Sequence, residues 1–349
     1  MDIRQRVDRV LAGVETCARR ADPSAAFIDF DPVFVSARLC VLERYMRALS
    51  ALLERPSIEQ RTPEWYAARG DMITASDFAQ ALGLGKFGSK KQLLRKKCGF
   101  GDTFDANCAP IQWGVRYEKV ACDIYIKRNN GIRVHEFGLL RHPEKAFIGA
   151  SPDGITEFGV MLEIKCPYRR KITGEVPDQY MYQIQGQLEV CNLDECDYLE
   201  VGLHEVGADE FWRRHAEGTF PTEYGIVAEE SDGKFTYSTP ETIDAFNSEY
   251  GGYMRLYYWY LHTYSCVRID RNYSFAKTLL EDVEKVWRQV EQYRSDPCLC
   301  NAELNNNKVK SPMSNKQAPI NLFRDPVKKP ESRALDLDDS ILPNTPSDH

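Results

Sequence analysis

The pattern of apolar positions predicts a helical region at the start of the chain. Within residues 3–14, apolar side chains recur at i, i+4, i+7, i+8 and i+11, which is typical of one buried helical stripe. A second helix is predicted to begin at Asp31-Pro32, because an N-cap residue is followed there by proline at the first helical position, and to end at Pro56. We therefore interpret residues 1–55 as a helical extension in front of the main domain.

The middle of the chain alternates between helical and strand-like segments. Helix starts are predicted at Thr62-Pro63 and at residues 74–77, and further helices are predicted at 112–127, 178–190, 242–264 and 274–294. Strand-like runs lie at 133–140, 146–150, 160–165 and 197–203. This order predicts a mixed α/β domain over residues 56–300. Residues 301–349 are rich in Asn, Ser and Pro and are predicted to form a disordered tail.

Composition and charge narrow the class of protein. The 349 residues are 43% apolar and 28% charged, which excludes a collagen, a coiled-coil rod and a fully disordered chain. The sequence contains no run of eighteen apolar residues, so no membrane-spanning helix is predicted. Eleven cysteines without a secretion signal predict reduced thiols, which are typical of the cytosol or nucleus, and we expect a cytoplasmic protein. The net charge of -7 still permits a nucleic-acid enzyme with local basic patches. The basic run at 86–97 fits either a DNA-backbone contact or a solvated face.

Three residues near the centre of the chain form a candidate catalytic set: Asp153, Glu163 and Lys165. Glu163 and Lys165 lie two apart on a predicted strand, so their side chains share one face, while Ile164 points into the core. A turn at 157–159 would fold this strand back and bring Asp153 beside Glu163. Two adjacent carboxylates repel unless a cation lies between them, and oxygen ligands suit Mg²⁺ or Mn²⁺. Metal, water and lysine are what phosphodiester hydrolysis requires, although Glu163 and Lys165 alone would also fit a solvated ion pair.

Five motifs resemble those of a known nuclease family. In chain order they are Trp65 with residues 69–76, then residues 114–118, 151–154, 162–167 and 180–185. Together they are similar to the phage lambda-type exonucleases and YqaJ-like viral recombinases, which belong to the PD-(D/E)XK nuclease superfamily. The resemblance implies a restriction-endonuclease-like core, with a mixed sheet flanked by helices, and it extends from about Trp65 to about Leu203.

The resemblance implies a role for each matching residue of a metal site. Asp153 and Glu163 would bind Mg²⁺ or Mn²⁺ together with the main-chain carbonyl of Ile164. Lys165 would position or activate the attacking water. Glu118 would reach in from its helix to a second metal or to the water around it. The implied catalytic set is Asp153, Glu163, Lys165, Glu118 and Gln183, the last of which would hold part of the site from the helix that follows.

A second group of residues resembles the family's pocket for a 5′-terminal phosphate. Residues 74–77 are predicted to begin a helix, whose N-terminus favours anions, and Arg69 would clamp a phosphate beside Ser76. The resemblance adds Ser151 to this pocket. The family also has an arginine shortly after the active-site proline. The matching position here is Lys171 in the run 168–171, and whether Lys171, Arg170 or their neighbour contacts phosphate stays open.

These motifs predict a metal-dependent DNA exonuclease that degrades one strand of duplex DNA from a 5′-phosphorylated end, in viral or phage recombination, replication or repair. The resemblance implies a single-strand annealing protein as partner and a homo-oligomer, often a ring-shaped trimer. From the lack of a long apolar run we expect no membrane partner, and a viral protein would act in the host cytoplasm. Two alternatives stay open. One is a structure-specific or restriction-like endonuclease acting on DNA or RNA, and the other is a nuclease fold whose role is interaction with host proteins.

Overall fold

The computed structural model describes residues 32–100 and 108–305, apart from residues 222, 232 and 253. Contacts divide the chain into Met1–Asn305 and Asn306–His349, and all described residues belong to the first unit. The helix predicted at 3–14 and most of the predicted tail therefore lie outside the described residues. The first part of that tail is folded, because Asn301–Asn305 is helical and Leu304 is buried in the core.

Ten strands lie within the described residues and form two sheets. The smaller sheet has the order β1-β4-β3, and the larger has the order β2-β5-β6-β7-β10-β8-β9, in which only β6 and β7 pair in parallel. The strands are β1 (Ile73–Thr74), β2 (Val134–His135), β3 (Leu140–Arg141), β4 (Ile148–Ala150), β5 (Gly154–Thr156), β6 (Met161–Lys165), β7 (Glu195–Val206), β8 (Tyr224–Glu229), β9 (Phe235–Tyr237) and β10 (Arg255–Asp270).

Helices cover both faces of the larger sheet. Those described are α1 (Pro32–Leu53), α2 (Pro63–Gly70), α3 (Phe78–Ala81), α4 (Lys90–Lys97), α5 (Ala109–Arg128), α6 (Asp178–Cys191), α7 (Ala208–Glu217), α8 (Ile243–Tyr250), α9 (Tyr273–Ser295) and α10 (Pro297–Cys300). Ile184 of α6 packs with Met161 of β6 in one core, and Trp113 of α5 packs with Leu162 and Ile164 in a second core on the opposite face. Strand β6 is therefore enclosed on both faces, which confirms the predicted mixed α/β core flanked by helices.

Several predicted helices match the structure closely. Helix α1 begins at Pro32 as predicted, and helix α2 begins after an N-cap at Thr62, whose hydroxyl accepts a hydrogen bond from the Trp65 amide at 3.2 Å. Leu49 and Leu52 of α1 are buried in the core that also contains α6 and α9. The described part of the predicted 1–55 extension thus packs directly against the domain.

Two sequence predictions about secondary structure were wrong. The helix predicted at 242–264 is a short helix, α8, followed by the sixteen-residue strand β10. Gly251 and Gly252 separate the two elements, and the run after them is dense in aromatic residues, which favour strands over helices. The strand predicted at 133–140 is divided between the two sheets, because Leu139 leaves the run to exchange backbone hydrogen bonds with Ile58.

Two further features concern the cysteines and the apolar length of the helices. The cysteines from Cys40 to Cys300 in the described ranges are all free thiols. Between residues 32 and 305, in the parts that the structure describes, no helix is both long and apolar enough to cross a membrane.

A buried ion pair fixes the segment between α2 and α4. The Lys97 ammonium lies 2.9 Å from Oδ2 of Asp77 and donates a second hydrogen bond to the Arg69 carbonyl at 2.7 Å, and both charged side chains are at least nine-tenths buried. Burial alone would raise the pKa of Asp77, but Lys97, helped by Arg69 and Lys96, lowers it to about 2. One lysine of the basic run at 86–97 is therefore a structural residue and is not available to a ligand.

We predict that Lys97→Met destabilises the fold by about 3 kcal/mol at pH 7, because it leaves the Asp77 carboxylate buried without its partner. Because the folded-state pKa of Asp77 is lowered, the stability that the pair contributes is present above the unfolded-state pKa and is lost as the pH falls toward 2. Urea unfolding measures the free energy of unfolding at pH 6 and at pH 3. Between these values the wild type should lose about 1 kcal/mol more of it than the double variant Asp77→Asn/Lys97→Met. Identical pH dependence in the two proteins would contradict this.

Candidate active site

A short hairpin brings the predicted carboxylates together. Strands β5 and β6 pair antiparallel with Gly154 opposite Leu162, and the turn contains Gly159 at φ +75°, where a Cβ would lie 2.5 Å from the Tyr45 carbonyl oxygen. Asp153 immediately precedes β5, and its Oδ2 accepts a hydrogen bond from the Ile164 amide at 2.7 Å. The hairpin predicted from the turn residues and the strand pattern is therefore confirmed.

Glu163 is fully buried and is held by three side chains. Gln183 donates to its Oε1 at 2.6 Å, Gln187 donates to its Oε2 at 2.7 Å, and the Lys165 ammonium also contacts Oε1. Gln183 and Gln187 lie four apart on α6, so they share one face of the helix, whereas Gln185 between them binds the Asp270 carbonyl and the Asn272 amide. The carboxylate of Glu163 is thus fixed by two amide groups from one helix face.

The sequence prediction included Gln183 but missed Gln187. The Gln187 side chain is 1% exposed, and its Nε2 also lies 3.4 Å from the Ser151 carbonyl, so it links the two ends of the hairpin region. Its Oε1 is buried without a hydrogen-bond partner in the described part of the chain. The signal was present in the sequence, because i, i+4 spacing puts Gln187 on the same face of the helix as Gln183.

Charge repulsion shapes the ionisation of this site. Burial and the nearby Glu163 carboxylate raise the pKa of Asp153 well above its ordinary value. Burial would lower the pKa of Lys165, but the Glu163 and Asp153 carboxylates raise it above the ordinary value, so lysine is held as an ammonium. The same ammonium lies 3.2 Å from the Ile164 carbonyl and 5.3 Å from the centre of the Tyr180 ring.

The donor groups fit a hard divalent cation. Asp153 and Glu163 supply two carboxylates and Ile164 supplies a carbonyl, all from one hairpin, and oxygen donors of this kind suit Mg²⁺ or Mn²⁺. A cation between the two carboxylates would also remove the repulsion that raises the pKa of Asp153. In the described residues, no three side chains of His, Cys, Asp or Glu are gathered closely enough to hold a metal by themselves. The fit therefore rests on two carboxylates and a backbone carbonyl.

Glu118 lies at the rim of the same site. It projects from α5, lines a cleft of about 310 Å³ together with Asp153 and Lys165, and contributes to the raised pKa of Asp153. Its Oε2 is paired with the Arg61 guanidinium at 2.9 Å. The structure thus brings Glu118 into the cleft but directs its carboxylate toward Arg61.

A second polar cluster contains the residues predicted to bind a 5′-phosphate. Arg69 donates to the Ser76 hydroxyl at 3.1 Å, and its guanidinium lies 4.3 Å from the centre of the Trp65 ring. Trp65 in turn donates from Nε1 to the Ser151 hydroxyl at 3.2 Å. The structure therefore brings Arg69, Ser76 and Ser151 into one connected cluster, with Trp65 as the link that the prediction did not include.

The helix expected to support this cluster is shorter than predicted. Ala75–Asp77 is a single 3₁₀ turn, and α3 after it has four residues. Gly83 at φ +76° follows closely and ends the helical segment. A helix dipole therefore adds little at this cluster, and any anion bound here would depend on the guanidinium and hydroxyl groups.

The basic residues of the loop after β6 differ in whether they form an ion pair with the rest of the fold. Arg170 is paired with the buried Glu200, whose carboxylate also accepts a hydrogen bond from the Tyr198 hydroxyl at 2.7 Å. Lys171 is exposed, and the Arg169 guanidinium lies over the Tyr168 ring at 5.0 Å. Arg170 is thus anchored to the fold, while Arg169 and Lys171 face solvent.

Comparison with known proteins gives one family and several viral relatives. A model of the YqaJ-like viral recombinase domain matches residues 64–194. An uncharacterized protein of Acanthamoeba polyphaga mimivirus is 30% identical over 227 residues, which are 58% of this chain and 41% of that protein. A protein of African swine fever virus (strain Badajoz 1971 Vero-adapted) is 26% identical over 235 residues, which are 55% of this chain and 67% of the viral protein. The chain thus spans less than half of the mimivirus relative.

Two solved structures are also similar. An alkaline exonuclease from Laribacter hongkongensis aligns with a TM-score of 0.45 and 23% identity, over 70% of this chain and 100% of that chain. A phage-related exonuclease from Haemophilus somnus 129PT aligns with a TM-score of 0.38 and 14% identity, over 65% of this chain and 96% of that chain.

The family match and the site geometry cover the same part of the chain. The carboxylate hairpin, the two glutamines of α6 and the Arg69 cluster all lie inside residues 64–194. These are also the residues whose motifs carry the resemblance seen in the sequence. Residues 64–194 are therefore a YqaJ-like viral recombinase domain, as the sequence motifs predict.

Proposed function

We propose that the chain is a divalent-metal-dependent DNA exonuclease that degrades one strand of duplex DNA from its 5′ end. The observation that carries the proposal is the pairing of Asp153 with Glu163 beside the Lys165 ammonium, within a YqaJ-like viral recombinase domain. The match to a YqaJ-like viral recombinase domain supports a role in viral recombination, and the proposal extends to replication or repair. A cytoplasmic location, an annealing partner and a homo-oligomer belong to the same proposal.

Asp153, Glu163 and the Ile164 carbonyl are proposed to hold Mg²⁺ or Mn²⁺, with Glu118 serving a second metal or the water around it. When bound, the metal would supply Lewis acidity to the phosphodiester and lower the pKa of a water molecule. The protein's own residues do the positioning. Gln183 and Gln187 keep Glu163 in one orientation, and the Ile164 amide does the same for Asp153.

Lys165 is proposed to orient the attacking water and to stabilise charge on the phosphate. Its ammonium is held between the Glu163 carboxylate and the Ile164 carbonyl, so it enters the reaction already desolvated and directed. A fixed ammonium of this kind is strongest where water is excluded, and the Lys165 side chain is only 23% exposed.

The direction of digestion is proposed to follow from the Arg69 cluster. A terminal phosphate would be bound by Arg69, Ser76 and Ser151. It would lie close to the carboxylate pair, because Gln187 contacts both the Ser151 carbonyl and Glu163. Each cleavage leaves a new 5′-phosphate, which the same cluster can bind in the next cycle. Polarity then needs no recognition of bases.

We predict that Asp153→Asn, Glu163→Gln and Lys165→Ala each lower cleavage by at least about a thousandfold while the protein stays folded. The assay is digestion of end-labelled linear duplex DNA in Mg²⁺, with circular dichroism to check folding. Asp123→Asn is the matched control, because Asp123 lines a neighbouring cleft on α5 but is paired with Lys119.

Near-normal activity in Asp153→Asn would exclude this active site. A closed circular duplex serves in the same experiment to test the endonuclease alternative. Cutting of the circle at a rate comparable to that of the linear duplex would favour an endonuclease of the same fold.

We predict that Gln187→Met weakens Mn²⁺ binding by roughly 10- to 100-fold, because the substitution removes an amide that orients a ligating carboxylate. Gln185→Met is the matched control: it removes an equally buried amide from the same helix, but one that binds the Asp270 carbonyl. Isothermal titration with Mn²⁺ compares the two. Equal affinities in both variants would show that Gln187 only supports the fold.

We predict that Arg69→Ala slows digestion of 5′-phosphorylated duplexes by roughly 30- to 200-fold and of 5′-hydroxyl duplexes little, because a charge-assisted contact with the terminal phosphate is lost. The hydrogen bond from the Lys97 ammonium to the Arg69 backbone carbonyl does not depend on the Arg69 side chain, so we expect the fold to be preserved. The measurement is the ratio of initial rates on the two substrates, with Arg213→Ala as an exposed control. An unchanged ratio in Arg69→Ala would remove Arg69 from the phosphate site.

A further inference from the structure

A groove adjoins the candidate active site on its lysine side. It has a volume of about 740 Å³ and shares Lys165, Cys166 and Pro110 with the cleft that contains Asp153. Within the described residues its lining includes no Asp or Glu. Its cations are Lys86, Lys165, Arg169 and Arg170.

The opposite end of the site has the reverse charge. The cleft of about 580 Å³ that extends from Asp153 toward α5 contains only two described cations, Arg61 and Lys119. Its carboxylates are Glu59, Glu118, Asp123, Glu136 and Asp153. A polyanion is therefore favoured at the lysine side of the carboxylates and disfavoured at the other side.

Phe87 is an exposed aromatic residue in the lining of the basic groove. Its side chain is 88% exposed, the highest value for a large apolar residue in the described ranges. The loop that carries it is held in place, because Gln80 donates to the Ser89 carbonyl at 3.0 Å and the Lys86 amide lies 3.4 Å from Oε1 of Gln179. Gly88 lies so close to Gln80 that a Cβ at position 88 would be 2.5 Å from Nε2 of the Gln80 side chain. A fixed loop thus holds an aromatic ring in solvent.

Tyr168 is a second aromatic ring of this groove. Tyr168 is 37% exposed. Its ring centre lies 5.4 Å from that of Trp113, and this packing holds the Tyr168 ring in place. The Arg169 guanidinium lies 5.0 Å from the same ring. Neither Lys86 nor Arg169 forms an ion pair within the described residues, so both cations are free to meet an external anion.

We propose that this groove binds unpaired nucleotides of the strand that leads to the carboxylates, with bases stacked on Phe87 and Tyr168 and phosphates neutralised by Lys86 and Arg169. Alternating aromatic rings and cations match the alternation of bases and phosphates in a single strand. A paired duplex would use the cations but would leave the exposed ring of Phe87 without a partner. An apolar protein segment would bury the cations at a cost. The assignment of the strand rests on the proposed nuclease function, because Lys165 joins the groove to the catalytic cleft.

The test is binding of a fluorescein-labelled oligo(dT) to the full chain in EDTA, measured by anisotropy at several salt concentrations in an Asp153→Asn background. Phe87→Ala should weaken binding by roughly 5- to 150-fold at every salt concentration, because stacking on one base is lost. The slope of log K against log salt concentration should stay the same in Phe87→Ala, because no charge is removed. Phe87→Trp should bind within about threefold of the parent, since it keeps a stacking surface. Lys86→Met should instead reduce the slope of log K against log salt by about 0.7.

The controls separate stacking from general effects. Tyr273→Ala removes another exposed aromatic side chain, which does not line the groove. Tyr273 donates a hydrogen bond to Asp194, just before β7, and its removal should not change binding. The affinity for a relaxed, closed circular duplex, added as a competitor, should change by less than about twofold in Phe87→Ala, because all its bases are paired. Parent-like affinity of Phe87→Ala for oligo(dT), or an equal loss for the duplex, would overturn the proposal.

Nuclease activity is measured separately on the wild type in Mg²⁺. If the wild type degrades DNA but Phe87→Ala binds like the parent, the groove proposal fails and the nuclease proposal stands. If Phe87→Ala loses binding but the wild type cleaves nothing, the groove binds single strands in a protein whose function is different.

Discussion

The repulsion between Asp153 and Glu163 is the constraint on which the rest of the site depends. The two residues are held close together by one hairpin, where burial and the Glu163 charge oppose the ionisation of Asp153. The fold offsets this with one ammonium, two amide side chains and one backbone N–H. This arrangement costs stability, and it is the arrangement that a divalent cation would stabilise.

Each supporting element has a residue that serves this hairpin. Helix α6 contributes both glutamines to Glu163, and the cores on the two faces of β6 fix the strand so that Glu163 and Lys165 point toward α6 while Ile164 points toward α5. Helix α1 packs against the turn, where Gly159 leaves no room for a side chain beside Tyr45. The Asp77–Lys97 pair holds the segment that carries Ser76. The charged centre is therefore supported by a rigid apolar frame.

The parts of the site that could be predicted from sequence are those set by local geometry. The period of two along β6 put Glu163 and Lys165 on one face, and the turn residues before it predicted the hairpin with Asp153. Properties that depend on tertiary packing could not be predicted in this way. The role of Gln187 depends on how α6 lies over β6, the burial of Lys97 depends on Asp77 in a different segment, and the exposure of Phe87 depends on the loop around Gln80. The run at 255–264 is wrongly predicted as a helix when its apolar density is given more weight than its aromatic, strand-favouring composition.

The most direct test of a cation site between Asp153 and Glu163 is thermal unfolding of the wild type and Asp153→Asn, each in EDTA and in Mg²⁺. If the two carboxylates form a cation site, Asp153→Asn should be at least as stable as the wild type in EDTA, because one source of repulsion is gone. Mg²⁺ should raise the Tm of the wild type and leave that of Asp153→Asn unchanged, since a ligand that binds only the folded state stabilises it. An Mg²⁺ effect that is absent from the wild type, or equal in both proteins, would contradict the account.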